Sequence, residues 1–210
     1  MNNKKIMVSI LNQGDIKIEL ATLLHDLPFQ NKYDVMITYP NDKPISNNRN
    51  KIVQDFLMTD YDYLLMIDDD IIPPENILNL ADFQKDIISA LTFMYQKNTI
   101  APLILKKNKE GSYNVADFKG YEGLIEVDSV GTGCVMISRK VLETIKAPFN
   151  DIFDEDGVRK YGLDIAFGQR AKKAGFKIYV HLDYPCGHKV VMNLKDIYSA
   201  NERLEGNMKV

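Results

Sequence analysis

The chain has 210 residues, 45% of them hydrophobic and 26% charged, with a formal net charge of -3. That length suits one domain with a sizeable core, and the composition excludes a disordered, collagenous or membrane-spanning chain. The slight acidity argues against a general nucleic-acid binder, which is ordinarily basic. Two cysteines, Cys134 and Cys186, are too few for a disulfide framework and fit a reducing compartment. No apolar run approaches the roughly 20 residues of a membrane helix. The N-terminal apolar stretch breaks at Ser9 and stops at Asn12, too short for a signal peptide. A cytoplasmic location is expected.

The first half alternates strand and helix patterns. Residues 5–11 read as a buried strand, and Asp15 is the expected cap of a helix with apolar positions Ile16, Leu20, Leu23, Leu24 and Leu27. Residues 33–38 form a second strand. A polar loop with Pro40 and Pro44 follows, then a helix capped by Ser46 that buries Ile52, Val53, Phe56 and Leu57. Residues 63–67 are a third strand, stopped by Asp68-Asp69-Asp70 and by Pro73-Pro74; a short helix from Pro74 and a strand over 86–92 complete the series. Such alternation predicts parallel pairing with helices on both faces.

The second half changes character. Short strands are expected over 100–106, 113–118, 124–127 and 133–138, with Asn108-Lys109-Glu110-Gly111 as a hairpin turn. A helix over 163–174 stops at Gly175, a strand over 177–181 follows, and a loop with Pro185 and Gly187 leads to a helical tail. No repeat or linker interrupts the pattern, so the expectation is one mixed α/β domain, residues 1–210.

The strongest local signal is Leu64-Leu65-Met66-Ile67-Asp68-Asp69-Asp70. Ligands of a parallel sheet bind beyond the carboxyl ends of its strands, where these acids fall. Adjacent carboxylates repel, and a hard divalent cation relieves the repulsion while keeping positions for water or phosphate. The plain alternative is that the acids solvate a strand end or cap the next helix. Ser46-Asn47-Asn48-Arg49-Asn50 opens a helix just upstream, and a helix start with an Arg attracts phosphate; Arg49 is otherwise a surface ion-pair residue. His188, in Pro185-Cys186-Gly187-His188, is the natural third ligand if its loop folds toward the acids.

This pattern resembles nucleotide-sugar glycosyltransferases of the GT-A fold, especially the family-2-type enzymes. The resemblance runs through the Arg49 helix and the Ile-Asp-Asp-Asp-Ile block at residues 67–71. It continues in Val130-Gly131-Thr132-Gly133-Cys134-Val135-Met136-Ile137-Ser138-Arg139, Tyr161-Gly162-Leu163-Asp164-Ile165-Ala166-Phe167 and Ala174-Gly175-Phe176-Lys177-Ile178-Tyr179-Val180. It ends at Cys186-Gly187-His188, with the blocks in family order over most of the chain. It implies a mixed, mainly parallel sheet flanked by helices, with residues of about 1–95 forming a nucleotide-binding half and about 96–210 an acceptor and metal-completing half. It also implies that Asp68 and Asp70 are the D-x-D pair, with Asp70 on Mn²⁺ or Mg²⁺ and Asp68 on the ribose or on the metal through water. Asp69 lies beside the donor between them. His188 completes the metal site, Arg49 lies near the nucleotide, and residues Ser9 to Asn12 carry the base and ribose. Asp164 takes the second place of the family's Glu-Asp pair, the base near the acceptor hydroxyl, although Leu163 stands where the family has Glu; the alternative is a helix cap.

The implied reaction moves a sugar from a UDP- or GDP-sugar to an acceptor hydroxyl. A cation stabilises the departing diphosphate and, if the configuration inverts, a base takes the acceptor proton. His188 after Pro-Cys also resembles retaining enzymes of this fold, which need no such base. Two other classes remain open. A sugar-1-phosphate nucleotidyltransferase shares the sheet but carries a Gly-rich basic loop where this chain has Asn12-Gln13-Gly14-Asp15, and a degenerate binding subunit keeps the fold alone. The acceptor is a glycan, a protein, a lipid-linked sugar reached peripherally or a modified DNA base; Phe93, Tyr95, Lys97, Tyr113 and Tyr121 lie in its half of the chain.

Overall fold

In a computed structural model describing residues 3–30, 32–96, 99–195 and 197–198, the first apolar run becomes β1 (Lys4–Leu11), six of whose residues are buried. Both of its faces are covered because it lies inside a seven-stranded sheet. The first half continues with α1 (Ile18–Asp26), a 3-10 turn (Leu27–Phe29), β2 (Tyr33–Thr38), α2 (Ile45–Leu57), β3 (Tyr63–Asp68) and β4 (Ile71–Ile72). A 3-10 segment (Ile77–Phe83) leads to β5 (Ile87–Leu91). Next come β6 (Phe93–Gln96), β7 (Thr99–Pro102), β8 (Ile104–Lys107), β9 (Tyr113–Val115), β10 (Leu124–Val127) and β11 (Ser129–Val130). The chain then forms β12 (Cys134–Ser138), α3 (Arg139–Thr144), β13 (Ile152–Phe153), β14 (Arg159–Tyr161), α4 (Leu163–Lys173), β15 (Ile178–Pro185) and β16 (Gly187–His188).

The main sheet has the order β10-β15-β5-β12-β3-β1-β2. β1 pairs in parallel with β2 and β3, and β15 with β5. The sheet is thus mainly parallel with helices on both faces, as expected. Alternating side chains feed two cores. Met7, Leu64, Met66, Val135 and Ile137 pack on one face with Ile52 and Phe56 of α2 and Phe167 of α4. Ile6, Val8, Leu65, Ile67 and Met136 pack on the other with Leu20 and Leu24 of α1 and with Leu78 and Leu80.

Two strands of the main sheet run against the others, β10 at its edge beside β15 and β12 inside it. β12 lies between β3 and β5 and is antiparallel to both. Its first residues therefore sit at the edge where β1 and β3 end, with Cys134 opposite Ile67. Strands from the second half of the sequence also flank β5, so the two halves of the chain interdigitate in one sheet.

Several local expectations are corrected. α1 begins after Lys17, not at Asp15, because the chain still turns at Gly14, whose φ is 128°. α2 begins at Ile45 because the extended Pro44 precedes it directly, leaving Ser46 inside the first turn. A 3-10 segment from Ile77 replaces the short helix from Pro74, and the strand over 100–106 divides at Leu103 into β7 and β8. β9 stops at Val115. The turn at residues 108–111 forms as expected: Asn108 Oδ1 accepts from the backbone of Glu110 and Ser112, and Gly111 takes φ 88°. Gly175 closes α4 at φ 86°. The expected helical tail lies, from residue 199 on, outside the described residues. Among the described residues no helix is long and apolar enough to cross a membrane.

Candidate active site

β3 runs out of the core at Asp68, and its carboxyl end is held in place from β12: Asp68 N–H donates to Gly133 O at 2.9 Å. Gly133 leaves little room for a side chain, since a Cβ there would lie 3.2 Å from both Asp68 Oδ2 and Ile71 Cγ1 and would press on both. The chain turns at Asp69, whose N–H donates to Leu11 O and whose Oδ2 accepts from Gln13 N–H at 2.9 Å. Asp69 therefore braces the loop after β1, while Asp68 and Asp70 point elsewhere.

Asp68 meets Arg49. The guanidinium is 1% exposed; Nη2 donates to Asp68 Oδ1 at 2.7 Å and Nη1 to Thr132 O at 2.9 Å. Its Nε has no partner among the described residues. Burial pushes the Asp68 carboxyl up to about 6; Arg49 opposes this, and Asp164, Asp70 and Asp69 add to it. The sequence places Arg49 as a helix-start hook for phosphate, but the structure places it one turn further in, as a buried counter-ion. It lines the smaller cleft described below, with both of its Nη groups bonded to protein.

Asp70 meets His188. The short antiparallel pairing of β16 with β4 sets His188 opposite Ile71, which brings Nε2 to 3.2 Å from Asp70 Oδ2. The other ring nitrogen lies 2.7 Å from Phe93 O, and because a carbonyl only accepts, Nδ1 carries the proton. A ring with that proton alone would turn a lone pair at Nε2 to a carboxylate oxygen, and two acceptors at that distance call for a proton or a cation between them. Two ligands about 2.1 Å from an octahedral ion stand roughly 3.0 Å apart, so the pair fits a hard cation, and the Nδ1 contact is the kind of outer hydrogen bond that orients a ligating histidine. Of the expected trio Asp68, Asp70 and His188, the structure joins only the last two. Among the described residues no set of three His, Cys, Asp or Glu side chains is arranged to hold a metal ion, because Asp68 is turned to Arg49.

Asp164 stands in the first turn of α4, whose cap is Gly162, so it does not act as the helix cap. Its Oδ1 accepts from Thr132 N–H at 3.2 Å and from Thr132 Oγ1 at 2.5 Å. Both contacts fall on one oxygen. Thr132 therefore joins the two ionic groups of the site: its carbonyl receives Arg49 and its amide and hydroxyl hold Asp164. Thr132 belongs to the motif read from sequence, yet nothing in its residue type announces this double role.

These side chains border two clefts that share Ile45, Asp68 and Asp70. The larger, about 430 Å³, runs along Asn12, Gln13, Asn48 and Asp69. The smaller, about 200 Å³, holds Arg49, Thr132, Asp164 and His188. Asn12 is anchored through Nδ2 to Pro40 O. Asn48, assigned no part in sequence, is 3% exposed and its Oδ1 accepts from no described residue. Ser9 reaches neither cleft: it is fully buried within β1 and bonded to Thr38 Oγ1 at 2.7 Å. Of the aromatic residues read into the acceptor half, Phe93 borders the small cleft, whereas Tyr113 stacks edge-on against Tyr161. Lys97 lies outside the described residues.

No protein-family model matches the sequence, and no curated protein matches it. Solved structures do. A197 from STIV aligns over 90% of this chain and 86% of its own, with a TM-score of 0.57 and 19% identity. The chain shares its fold. Further matches are a UDP-glucose pyrophosphorylase complexed with UDP-glucose, with TM-score 0.49, 10% identity and coverage of 98% and 100%. Another is a protein described as a nucleotide-diphospho-sugar transferase from Desulfovibrio desulfuricans G20, with TM-score 0.45, 10% identity and coverage of 88% and 80%.

Proposed function

We propose that the protein is a metal-dependent glycosyltransferase that moves a sugar from a UDP- or GDP-sugar to an acceptor hydroxyl, with inversion at the transferred carbon. One observation carries this reading. Asp70 and His188, 118 residues apart, meet at 3.2 Å where the two clefts join, with Asp164 in the smaller one. The larger cleft takes the nucleotide, and the buried Asn48 Oδ1 accepts from a ribose hydroxyl or a base N–H. Asp70 and His188 are the residues that would hold Mn²⁺ or Mg²⁺. The bound cation supplies Lewis-acid stabilisation of the charge that develops on the diphosphate.

The chain's own residues do the rest. Arg49 fixes Asp68 through Oδ1, which would leave its second oxygen for the ribose or for water on the cation. Asp164 accepts the acceptor's proton as its hydroxyl attacks, and Thr132 keeps the carboxylate aimed by holding Oδ1. Titration calorimetry with UDP and GDP, with and without Mn²⁺, tests the reading. Nucleotide binding should require the cation and vanish in Asp70→Ala, with a smaller loss in His188→Ala and the melting temperature preserved in both. Binding that ignores both the cation and Asp70→Ala would sink the assignment. Release of diphosphate from a nucleoside triphosphate and a sugar 1-phosphate would make the protein a nucleotidyltransferase instead.

A further inference from the structure

The small cleft is bordered by a side chain that neither the ion pairs nor the proposed reaction uses. Thr92 follows β5 directly and lines the cleft together with Asp68, Asp70 and Asp164. It is 4% exposed. Its backbone is pinned, since Leu103 N–H donates to Thr92 O at 2.9 Å. A Cβ on Gly131 would lie 3.0 Å from Thr92 Oγ1 and 2.4 Å from Leu103 Cδ2, so the bare backbone of Gly131 is what leaves room for the hydroxyl.

Among the described residues Thr92 Oγ1 has no hydrogen-bond partner. The other buried serines and threonines described, Ser9, Ser89, Ser129 and Thr132, each spend their hydroxyl inside the protein, on Thr38 Oγ1, Ala90 O, Asp164 O and Asp164 Oδ1 respectively. A buried hydroxyl left unpaired costs stability, and one that borders a cleft calls for a partner from outside the chain. Its chemistry also complements the rest of the lining. The carboxylates of Asp68, Asp70 and Asp164 only accept, whereas a threonine hydroxyl donates as well. A sugar hydroxyl set among them can donate to a carboxylate and accept from Thr92. The cleft adjoins the Asp70–His188 pair, so a donor held by its diphosphate at that pair would carry its sugar ring into the cleft.

We propose that Thr92 is a specificity residue that holds one hydroxyl of the transferred sugar. This rests on the glycosyltransferase reading and narrows the donor to a sugar that carries that hydroxyl, against its deoxy counterpart. Thermal unfolding of the free protein gives the first test. Thr92→Val loses no internal hydrogen bond, so the melting temperature should hold or rise; a fall of more than about 3 °C would make the hydroxyl structural and overturn the proposal. Calorimetry in Mn²⁺ then compares UDP, GDP, UDP-glucose, UDP-galactose, GDP-mannose and the mono-deoxy analogues of these sugars. Thr92→Val should leave UDP and GDP affinity unchanged and weaken the best-bound nucleotide sugar by roughly three- to tenfold, and Thr92→Ser should restore it. One deoxy analogue, lacking the hydroxyl that Thr92 holds, should bind wild type and Thr92→Val alike. An equal loss for every analogue, or no loss for any nucleotide sugar, would overturn the proposal, while cation-dependent binding of UDP or GDP would leave the donor reading standing. Nucleotide binding that ignores the cation would fail the donor reading and this proposal with it.

Discussion

Deleting the charge of Arg49 decides whether its guanidinium is the counter-ion of Asp68 or a hook for the donor. Arg49→Met keeps an unbranched stem and removes the hydrogen bonds to Asp68 Oδ1 at 2.7 Å and to Thr132 O at 2.9 Å. Hydrogen bonds to charged groups are worth about 1.5–3 kcal/mol each. Breaking a buried pair from one side costs about 3–5 kcal/mol, because the other charge stays behind unpaired. Asp68 would face only its like-charged neighbours Asp164, Asp70 and Asp69. We expect a stability loss of about 3–5 kcal/mol, read as a fall in the urea midpoint with an unchanged slope. Adding Asp68→Asn should recover the larger part, with a coupling energy of about 1.5–3 kcal/mol in the double-mutant cycle. A loss under about 1 kcal/mol, or no recovery in the double variant, would refute the counter-ion role. A large drop in donor affinity with intact stability would restore the hook.

Asp164→Asn should lower turnover by about a hundredfold or more while donor affinity and melting temperature hold; near-wild-type turnover would remove it as the base. Thr132→Val deletes the hydroxyl that holds Asp164 Oδ1, so kcat should fall by roughly tenfold with KM for the donor unchanged, and Thr132→Ser should restore it; equal loss in both variants would mean a packing defect. His181 packs against the rings of Phe83 and Tyr184 at 4.5 and 4.8 Å, and burial holds its imidazole below the usual range, with Asp183 opposing. Above a pH of about 6.5 the ring is neutral in both states. As pH falls the unfolded chain takes up the proton first, so stability declines. His181→Phe should flatten that decline between about pH 7 and 5, and an unchanged slope in urea titrations would count against it.

Much of the first half is legible because β1 and β3 are largely apolar runs, and a strand buried on both faces leaves no other pattern. The acidic turn after β3 is legible for the same reason, as the point where that run stops. Strand direction is a different matter. Residues 133–138 read as a strand, but apolar runs carry no polarity, so the antiparallel entry of β12 between β3 and β5 is invisible until the sheet is assembled. With it goes the role of Thr132, which depends on where the start of β12 lands. Arg49 reads as a surface or phosphate residue because guanidinium groups are rarely buried; Asp68 and the Thr132 carbonyl, brought from two other segments, help make its burial tolerable. The capping positions fail at Asp15 and Ser46 because Gly14 and Pro44 set the direction of the chain before those side chains can act. The approach of His188 to Asp70 follows from the two-residue pairing of β16 with β4, which is too short to leave a pattern in the sequence.

The reversed strand inside the sheet has a consequence for synthesis. Until β12 emerges, β3 and β5 each present an unpaired ladder of N–H and C=O groups, with a slot one strand wide between them. A chain elongating at roughly 5–20 residues per second spends several seconds between completing β5 and delivering Ser138. During that interval the slot is a template for any extended segment, including β12 of a second nascent chain. Insertion of the wrong strand would displace Thr132 and Gly133 together, stripping Arg49 of one acceptor and Asp68 of its backbone brace. Misassembly at this slot and loss of the site's geometry are therefore a single event, and a chain that has its ion pairs in place has also closed this edge.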